Sequence, residues 1–570
     1  MNMISTFCGI GVVCFGWLLF GLVICGLGAV CLRWTRIESR PRMTVSFWVG
    51  FAVLIAVLQI VNLFVAINLP VVLVLVAGGL AGFSSSYPNI GESVATFWSR
   101  SPPVKRIVIV LALIWIADKS LEVPTLIDSN FYHFQSIRWA NEYKLPPGLG
   151  NLHGRLAFNQ SYFLYVAFLN ALPVPGLGHN LANGLLLGVV LLTIIDVCSQ
   201  VSVRRRPLIA LMIPVSLLCA VTGERHNLPG LGSPAPDVAL YLLELVLFAF
   251  LVKADEKRSQ SMMVAVLSFF PLLLAMKFSA IGFVFGVGIV ALLRLPNRSL
   301  ERKSWIFIAG LGVVLIGGWI ARSVVASGYL LYPVVQTGVP VDWKVPAHLT
   351  VIEANWIKSW ARQPFMHWSR VLGSSAWVPK WIKMNTRRAD MMFPLVLFLV
   401  TMILPLLQRS QIQKMRLGQW SLMIFALIFA AVCWFLLAPD PRFAGALFWL
   451  LVLSGCGMLY DVWPEALWHT GRQAALIVVW GGFFVGLYVC PRPWIWVRGG
   501  GLTEPIVNPE MFQVQTDSGL TVWLPKREEN VGEWELPSAS YYRPQLRLRG
   551  KDLGEGFYLD ESNSMAPDFR

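Results

Sequence analysis

Residues 181–221 read LANGLLLGVVLLTIIDVCSQVSVRRRPLIALMIPVSLLCAV. Two apolar runs flank Arg204, Arg205 and Arg206. A bilayer core is crossed by about 20 apolar residues in a helix. Three arginines between two such runs mark a short cytoplasmic loop, because short basic loops stay inside. The same pattern extends in both directions. Apolar runs start near residues 4, 45, 68, 106, 181, 207, 237, 261, 278, 304, 390, 418, 444 and 474, which predicts about fourteen spans.

Basic residues alternate with these runs. Arg33, Arg36, Arg40 and Arg42 follow the first, and Arg100, Lys105 and Arg106 precede the fourth. Lys253, Lys257 and Arg258 follow the seventh, Arg294, Arg298, Arg302 and Lys303 the ninth, and Arg409, Lys414 and Arg416 the eleventh. The alternation predicts that both termini face outward. It also makes residues 161–172 an interfacial or re-entrant helix, because one more span there would move Arg204–Arg206 outside. The first run lacks a basic n-region, so it reads as an anchor and not a cleaved signal.

Composition agrees. The chain has 570 residues, 56% apolar and 14% charged, against about 25% charged in soluble chains. An ordinary soluble enzyme and a disordered chain are both excluded. The net charge of +15 would suggest nucleic acid in a soluble protein. Here the topology accounts for it, so the expected partner is the lipid bilayer, with no nucleic acid. Cys8, Cys14, Cys25, Cys31, Cys198, Cys219, Cys433, Cys456 and Cys490 lie in or beside apolar runs with no CxxC pair, which predicts small buried hydrophobes without disulfides or zinc.

Almost every unusual polar residue falls in the segments assigned to the outer face. The first segment runs Asp128-Ser-Asn-Phe-Tyr132-His133-Phe-Gln-Ser-Ile-Arg138, then Glu142, Asn151, His153, Arg155 and Asn159. A short helix is expected over 131–142, capped by Ser129 or Asn130, with Arg138 and Glu142 one turn apart. His133, His153, His179 and His226 add four of the seven histidines. This density of ionisable groups suits a metal or general-base site, or a solvated loop. Asp237, in Ser233-Pro-Ala-Pro-Asp237, either caps a helix or faces the same cavity as Asp128. Lys277, in a tight turn, either snorkels or holds an anion.

The next outer segment, 325–389, carries eight Lys/Arg, two acids and six tryptophans. It is preceded by Arg322 and contains Tyr329 and Lys344. Ile352, Trp356 and Trp360 recur every four residues, which predicts an amphipathic interfacial helix. In Pro439-Asp440-Pro441-Arg442-Phe443, Asp440 and Arg442 either pair with each other or clamp a phosphate. The tail 491–570 predicts a small soluble cap with strands at Phe512-Gln-Val-Gln-Thr and Leu520-Thr-Val-Trp-Leu around a turn at Asp517-Ser-Gly519.

These features together resemble the GT-C superfamily of polytopic membrane glycosyltransferases. The motifs D-x-x-x-Y-H, N-L-H-G-R-L-x-F-N, S-x-x-P-D, D-W-K-V-P and D-P-R-F resemble those of a bacterial GT-C-like membrane protein family over roughly residues 105–570. The expected fold is an all-α polytopic membrane protein with about 14 transmembrane helices. Residues 1–104 form an added N-terminal three-helix segment. Residues 105–490 form a GT-C-like core with external loops 119–160 and 325–389. Residues 491–570 form a small external α/β or β cap.

The resemblance implies a polyprenyl-phosphate-linked sugar donor and a glycan, lipid or protein acceptor outside the bacterial cytoplasmic membrane. Asp128 matches the loop acid and would act as general base. Arg442, Arg322 or Lys277 would stabilise the departing phosphate, and His133, His153 and Arg155 would shape the sugar pocket. Asp237 would place the acceptor, or join Asp128 around a divalent cation, Mg or Mn. Tyr132, Arg138, Asn151, Asn159, Tyr329, Lys344 and Asp440 complete the expected substrate-binding set. The alternatives are a lipid-linked glycan polymerase or assembly protein, and a transporter without transferase activity.

Overall fold

The computed structural model describes residues 2–35, 42–124, 126–221, 230–256, 259–294, 300–404, 418–462, 480–484, 502–503, 506, 508–527 and 530–561. Outside them lie Arg36, Arg40, His226, Lys257, Arg258, Arg298, Arg409, Lys414, Arg416 and Cys490, together with most of the run near 474.

The chain is mostly helical, and a helix starts within three residues of each of the thirteen expected positions that fall among the described residues. Among the described residues, six helices are long and apolar enough to cross a membrane: Ile4–Trp34, Met43–Phe64, Leu69–Ser86, Gly178–Gln200, Arg302–Ser327 and Trp420–Leu437. Arg206–Val221, Gln260–Met276, Phe278–Arg294, Ala389–Ile403 and Leu447–Asp461 are apolar but shorter. Val313 and Phe425 are each 71% exposed on such helices. Large apolar side chains on the outside of a helix bundle suit lipid, not water. The chain is a membrane protein.

Met43–Phe64 lies near the middle of the bundle. It packs on Asn2–Trp34, Gln260–Met276, Arg302–Ser327 and Tyr162–Leu169. Its crossing with the first helix is close because Gly28 and Gly50 lack side chains. A Cβ on Gly28 would stand 1.9 Å from the Ser46 carbonyl oxygen, and one on Gly50 equally near that of Ile24. Small residues let helices approach in this way. The second helix therefore contacts both the first helix and helices from later in the chain.

One end of the bundle is held by ion pairs among the basic connections. Arg42 meets Asp196 at 2.9 Å, Arg205 meets Asp255 and Glu256, and Arg294 meets Asp255. The opposite ends of the same helices carry Asp237 and Lys277. The segment 161–172 forms the helix Tyr162–Leu169, short as expected but wholly buried. Its Tyr162 hydroxyl donates to Asn183 Oδ1 at 2.9 Å, so it belongs to the interior and not to a lipid interface.

The amphipathic helix Ala347–Arg362 is present, but its buried residues are Leu349, Thr350, Ser359 and Ala361. The Trp356 and Trp360 rings pack on His367 and Phe365. The expected stripe therefore meets neighbouring aromatics of the same loop.

The described part of the tail holds two antiparallel pairs and no α-helix. Met511–Gln515 pairs with Thr521–Pro525, placing Val514 opposite Val522. Leu546–Leu548 pairs with Phe557–Leu559. Gly519, at φ +81°, takes the left-handed turn position between the first two strands. None of the eight described cysteines forms a disulfide.

Candidate functional site

Asp128 stands just before a one-turn π-helix, Ser129–His133, that runs into the helix Phe134–Glu142. Such π-turns are frequent at functional positions. Ser129 Oγ lies 2.7 Å from Ser233 Oγ, and Asn183 Nδ2 donates to the Ser233 carbonyl at 2.8 Å. These bonds bring the 128–133 turn beside the start of helix Pro236–Glu256, where Asp237 lies.

Two guanidiniums flank Asp128. Arg442 Nη1 donates to its Oδ2 at 3.0 Å, and Arg155 Nη1 lies 3.5 Å from its Oδ1. Arg442 also meets Asp440 Oδ2 at 3.5 Å, and Asp440 Oδ1 accepts from the Arg442 backbone N–H at 3.0 Å. Pairing with Asp440 and clamping a second anion are thus combined in one guanidinium. Arg155 reaches past Asp128 to Glu353 Oε1 at 3.3 Å and lies over the Phe131 ring at 4.9 Å. Lys277 donates to Asp237 Oδ1 and rests 4.6 Å from the Phe443 ring centroid. Lys277 is buried and paired, so it does not snorkel.

The turn carrying Arg442 is rigidly held. Trp381 Nε1 donates to the Pro439 carbonyl at 2.7 Å and Trp434 Nε1 to the Asp440 carbonyl at 2.8 Å. Glu244 Oε2 accepts from the Ala446 N–H at 2.7 Å.

The electrostatics follow from burial and these pairs. Burial alone would raise the Asp128 carboxyl, but Arg442 and Arg155 overcome it and hold the group at about 2. The Asp128 side chain is 20% exposed, so solvent reaches it. Burial pushes His133 down to about 3 and His153 well below the usual histidine range, so both imidazoles are neutral near pH 7. Burial and the Asp128 charge raise the Tyr132 hydroxyl. Among the described residues, His133 Nδ1 and His153 Nε2 have no hydrogen-bond partner.

The expected site residues separate into three groups. Asp128, Tyr132, His133, Arg155, Asp237, Lys277, Asp440 and Arg442 come together around the carboxylate. Arg322 and Asn159 lie in a neighbouring cavity that also touches Arg155. The third group serves the framework. Arg138 pairs with Glu142 at 2.5 Å and donates to the Glu533 carbonyl. Asn151 Nδ2 donates to the carbonyls of Trp343 and Phe557. The Tyr329 hydroxyl donates to the Val345 carbonyl, and Lys344 is exposed, its stem packed on Gly328. His153 is shared between groups: its Nδ1 accepts from Arg155 N–H, and its ring stacks on Tyr541 at 4.7 Å.

Several participants are not evident from the motifs. Glu353 is one, although it is one of only two acids among eight bases in 325–389. Tyr541 and Arg543 are others. The Tyr541 hydroxyl accepts from Gly154 N–H at 2.8 Å, and Arg543 Nη1 donates to the Gly150 and Asn151 carbonyls at 3.2 and 2.7 Å. The Val531 and Gly532 N–H groups donate to the Asn130 carbonyl. The tail is therefore clamped directly onto the loop that carries Asp128.

A divalent ion fits this donor set poorly. Asp128 is held by two guanidiniums and Asp237 by an ammonium. Among the described residues no three His, Cys, Asp or Glu side chains group closely enough to hold a metal.

A family model described as a domain of unknown function (DUF8201) matches residues 12–449, and the chain belongs to that family. The match includes Asp128, Asp237, Lys277 and Arg442 and ends before Tyr541 and Arg543. No curated protein and no solved structure matches the chain.

Proposed function

We propose that this DUF8201 member is a GT-C-like membrane glycosyltransferase. It moves a sugar from a polyprenyl-phosphate donor to a cell-envelope acceptor on the outer face of the bacterial cytoplasmic membrane. In this reading about fourteen helices span the membrane, and the Asp128 end of the bundle faces outward.

The observation that carries the proposal is the Asp128 carboxylate held between Arg442 and Arg155. Three segments distant in sequence meet there, at the ends of apolar helices. A carboxylate at about 2 is a weak base as it stands. A donor phosphate competes for the same guanidiniums, since Arg binds phosphate and carboxylate with one fork geometry. When the phosphate takes Arg442 and Arg155, Asp128 loses its stabilising cations and its basicity rises.

Asp128 then accepts the acceptor hydroxyl proton. The acceptor oxygen bonds to the anomeric carbon, and the carbon–oxygen bond to phosphate breaks. The electron pair leaves with the polyprenyl phosphate, whose charge Arg442 and Arg155 neutralise. The aromatic rings of Phe131, Tyr132 and Phe158 pack around the Arg155 guanidinium.

The test is label transfer from radiolabelled polyprenyl-phosphate sugars by purified wild type and Asp128→Asn. Transfer by wild type alone supports the proposal. Equal transfer by both moves the base to another group, with Asp237 next. No transfer by either shifts weight to the second reading, a glycan assembly protein or transporter in which the cluster is purely structural.

A further inference from the structure

Arg322 differs from the other buried cations at this end of the bundle. Arg442, Arg155 and Lys277 each pair with a carboxylate. Arg322 is 6% exposed, and its hydrogen bonds go to two neutral amides. Its Nη1 donates to Asn62 Oδ1 at 2.9 Å and its Nε to Asn159 Oδ1 at 3.2 Å. Among the described residues no carboxylate forms an ion pair with it. A buried guanidinium without a counter-charge is strongly unfavourable unless something supplies one.

The surroundings supply space and a further donor. Arg322 lines a cavity of about 40 Å³ together with Ser136, Trp139, Arg155, Asn159 and Gln160. Trp139 is 2% exposed, and among the described residues its indole N–H has no acceptor. Gln160 Oε1 also has no partner among them, and an amide can turn to present its NH₂. Asn62 sits in the last turn of the apolar helix Met43–Phe64, and Arg322 lies five residues before the end of the apolar helix Arg302–Ser327. That is the depth at which lipid headgroups lie when such helices cross a bilayer. Arg155 forms a wall shared with the Asp128 centre.

We infer that this cavity is an anion-binding pocket for a phosphate group, in which Arg322 supplies the charge and Trp139 Nε1 the directional hydrogen bond. The pocket is distinct from the Asp128–Arg442 pair, and the inference does not depend on glycosyl transfer. A guanidinium has five N–H donors, more than the two given to Asn62 and Asn159, and several directional donors suit a phosphate better than a halide. The same group reaches the cavity either as free phosphate or at the head of a lipid.

The experiment uses the full chain purified in detergent, with inorganic phosphate and farnesyl phosphate as probes. Binding is read from Tm and from ³¹P line broadening. Wild type is expected to be stabilised by at least one probe, and the response of Trp139→Phe, whose ring packs on Tyr143 and Phe557 and not on the Asp128 centre, separates this pocket from the transfer centre. Trp139→Phe is expected to weaken binding about tenfold, the size of one lost charge-assisted hydrogen bond, and Arg322→Gln to abolish it. Response to farnesyl phosphate alone assigns a lipid-borne phosphate, and response to both assigns phosphate from either source. The inference is overturned if neither probe binds wild type, leaving a cavity for water. Unchanged affinity in Trp139→Phe also overturns it, and that variant decides the matter where Arg322→Gln fails to fold.

Discussion

Arg442 Nη1 donates to Asp128 Oδ2 at 3.0 Å, joining residues 314 positions apart in the chain. Lysine would keep the charge and lose the fork that reaches Asp128 and Asp440 together. Arg442→Lys is therefore expected to lower label transfer by about a hundredfold, the lower range for removing one preorganised donor. Asp128→Asn should abolish transfer. Single-turnover assays on detergent-purified protein with matched Tm values check both.

Asp237 and Lys277 have side chains only 8% and 9% exposed. Removing one partner strands the other charge. Lys277→Met should destabilise by about 3 kcal/mol. Adding Asp237→Asn should recover most of that loss, because the stranded charge is then gone. Thermal unfolding of the two variants, compared at one detergent concentration, gives the answer. A double variant no more stable than the single would show that the pair is not coupled.

His133 gives a pH dependence with a definite sign. Its folded value, about 3, lies below the ordinary 6.5. The unfolded chain therefore binds the proton more readily. The His133 contribution is fully present above about pH 6.5 and is lost as pH falls toward 3. Tm should fall between pH 7 and pH 5, and His133→Phe should flatten that slope. His153, also depressed, should retain part of it.

Arg543 and Tyr541 fix the tail to the 150–154 segment. Tyr541→Phe removes the acceptor for Gly154 N–H and should cost about 1 kcal/mol of docking. Arg543→Ala should cost more, since it loses two carbonyl contacts and the guanidinium over the Tyr541 ring at 4.9 Å. Hydrogen exchange should speed up at Gly154, Val531 and Gly532 while the bundle helices stay protected. Unchanged exchange at those three amides would show that the clamp is held elsewhere.

The membrane helices are legible in the sequence because a twenty-residue apolar run has few other uses. Charges beside those runs are legible for a related reason. Asp128, Asp237, Lys277 and Arg442 are costly near lipid and need partners, and the fold gives them to one another. Asn151, Tyr329 and Lys344 belong to equally conspicuous motifs, yet they meet backbone carbonyls or solvent. A motif's density does not distinguish a loop staple from a ligand contact. Glu353 is hidden in an ordinary amphipathic helix. Tyr541 and Arg543 are hidden by distance, because no local pattern states which loop a tail segment covers.

The clamp between tail and loop also sets an order of events during synthesis. Gln135 Nε2 bonds the Gly532 carbonyl, 397 residues further along. At about 5–20 residues per second, roughly 20–80 s separate the emergence of the two. Throughout that interval the Asp128 turn is outside the ribosome without Val531, Tyr541 or Arg543 over it. A nascent chain halted after the bundle would carry the charged cluster uncovered, and arrival of the tail is the step that closes it.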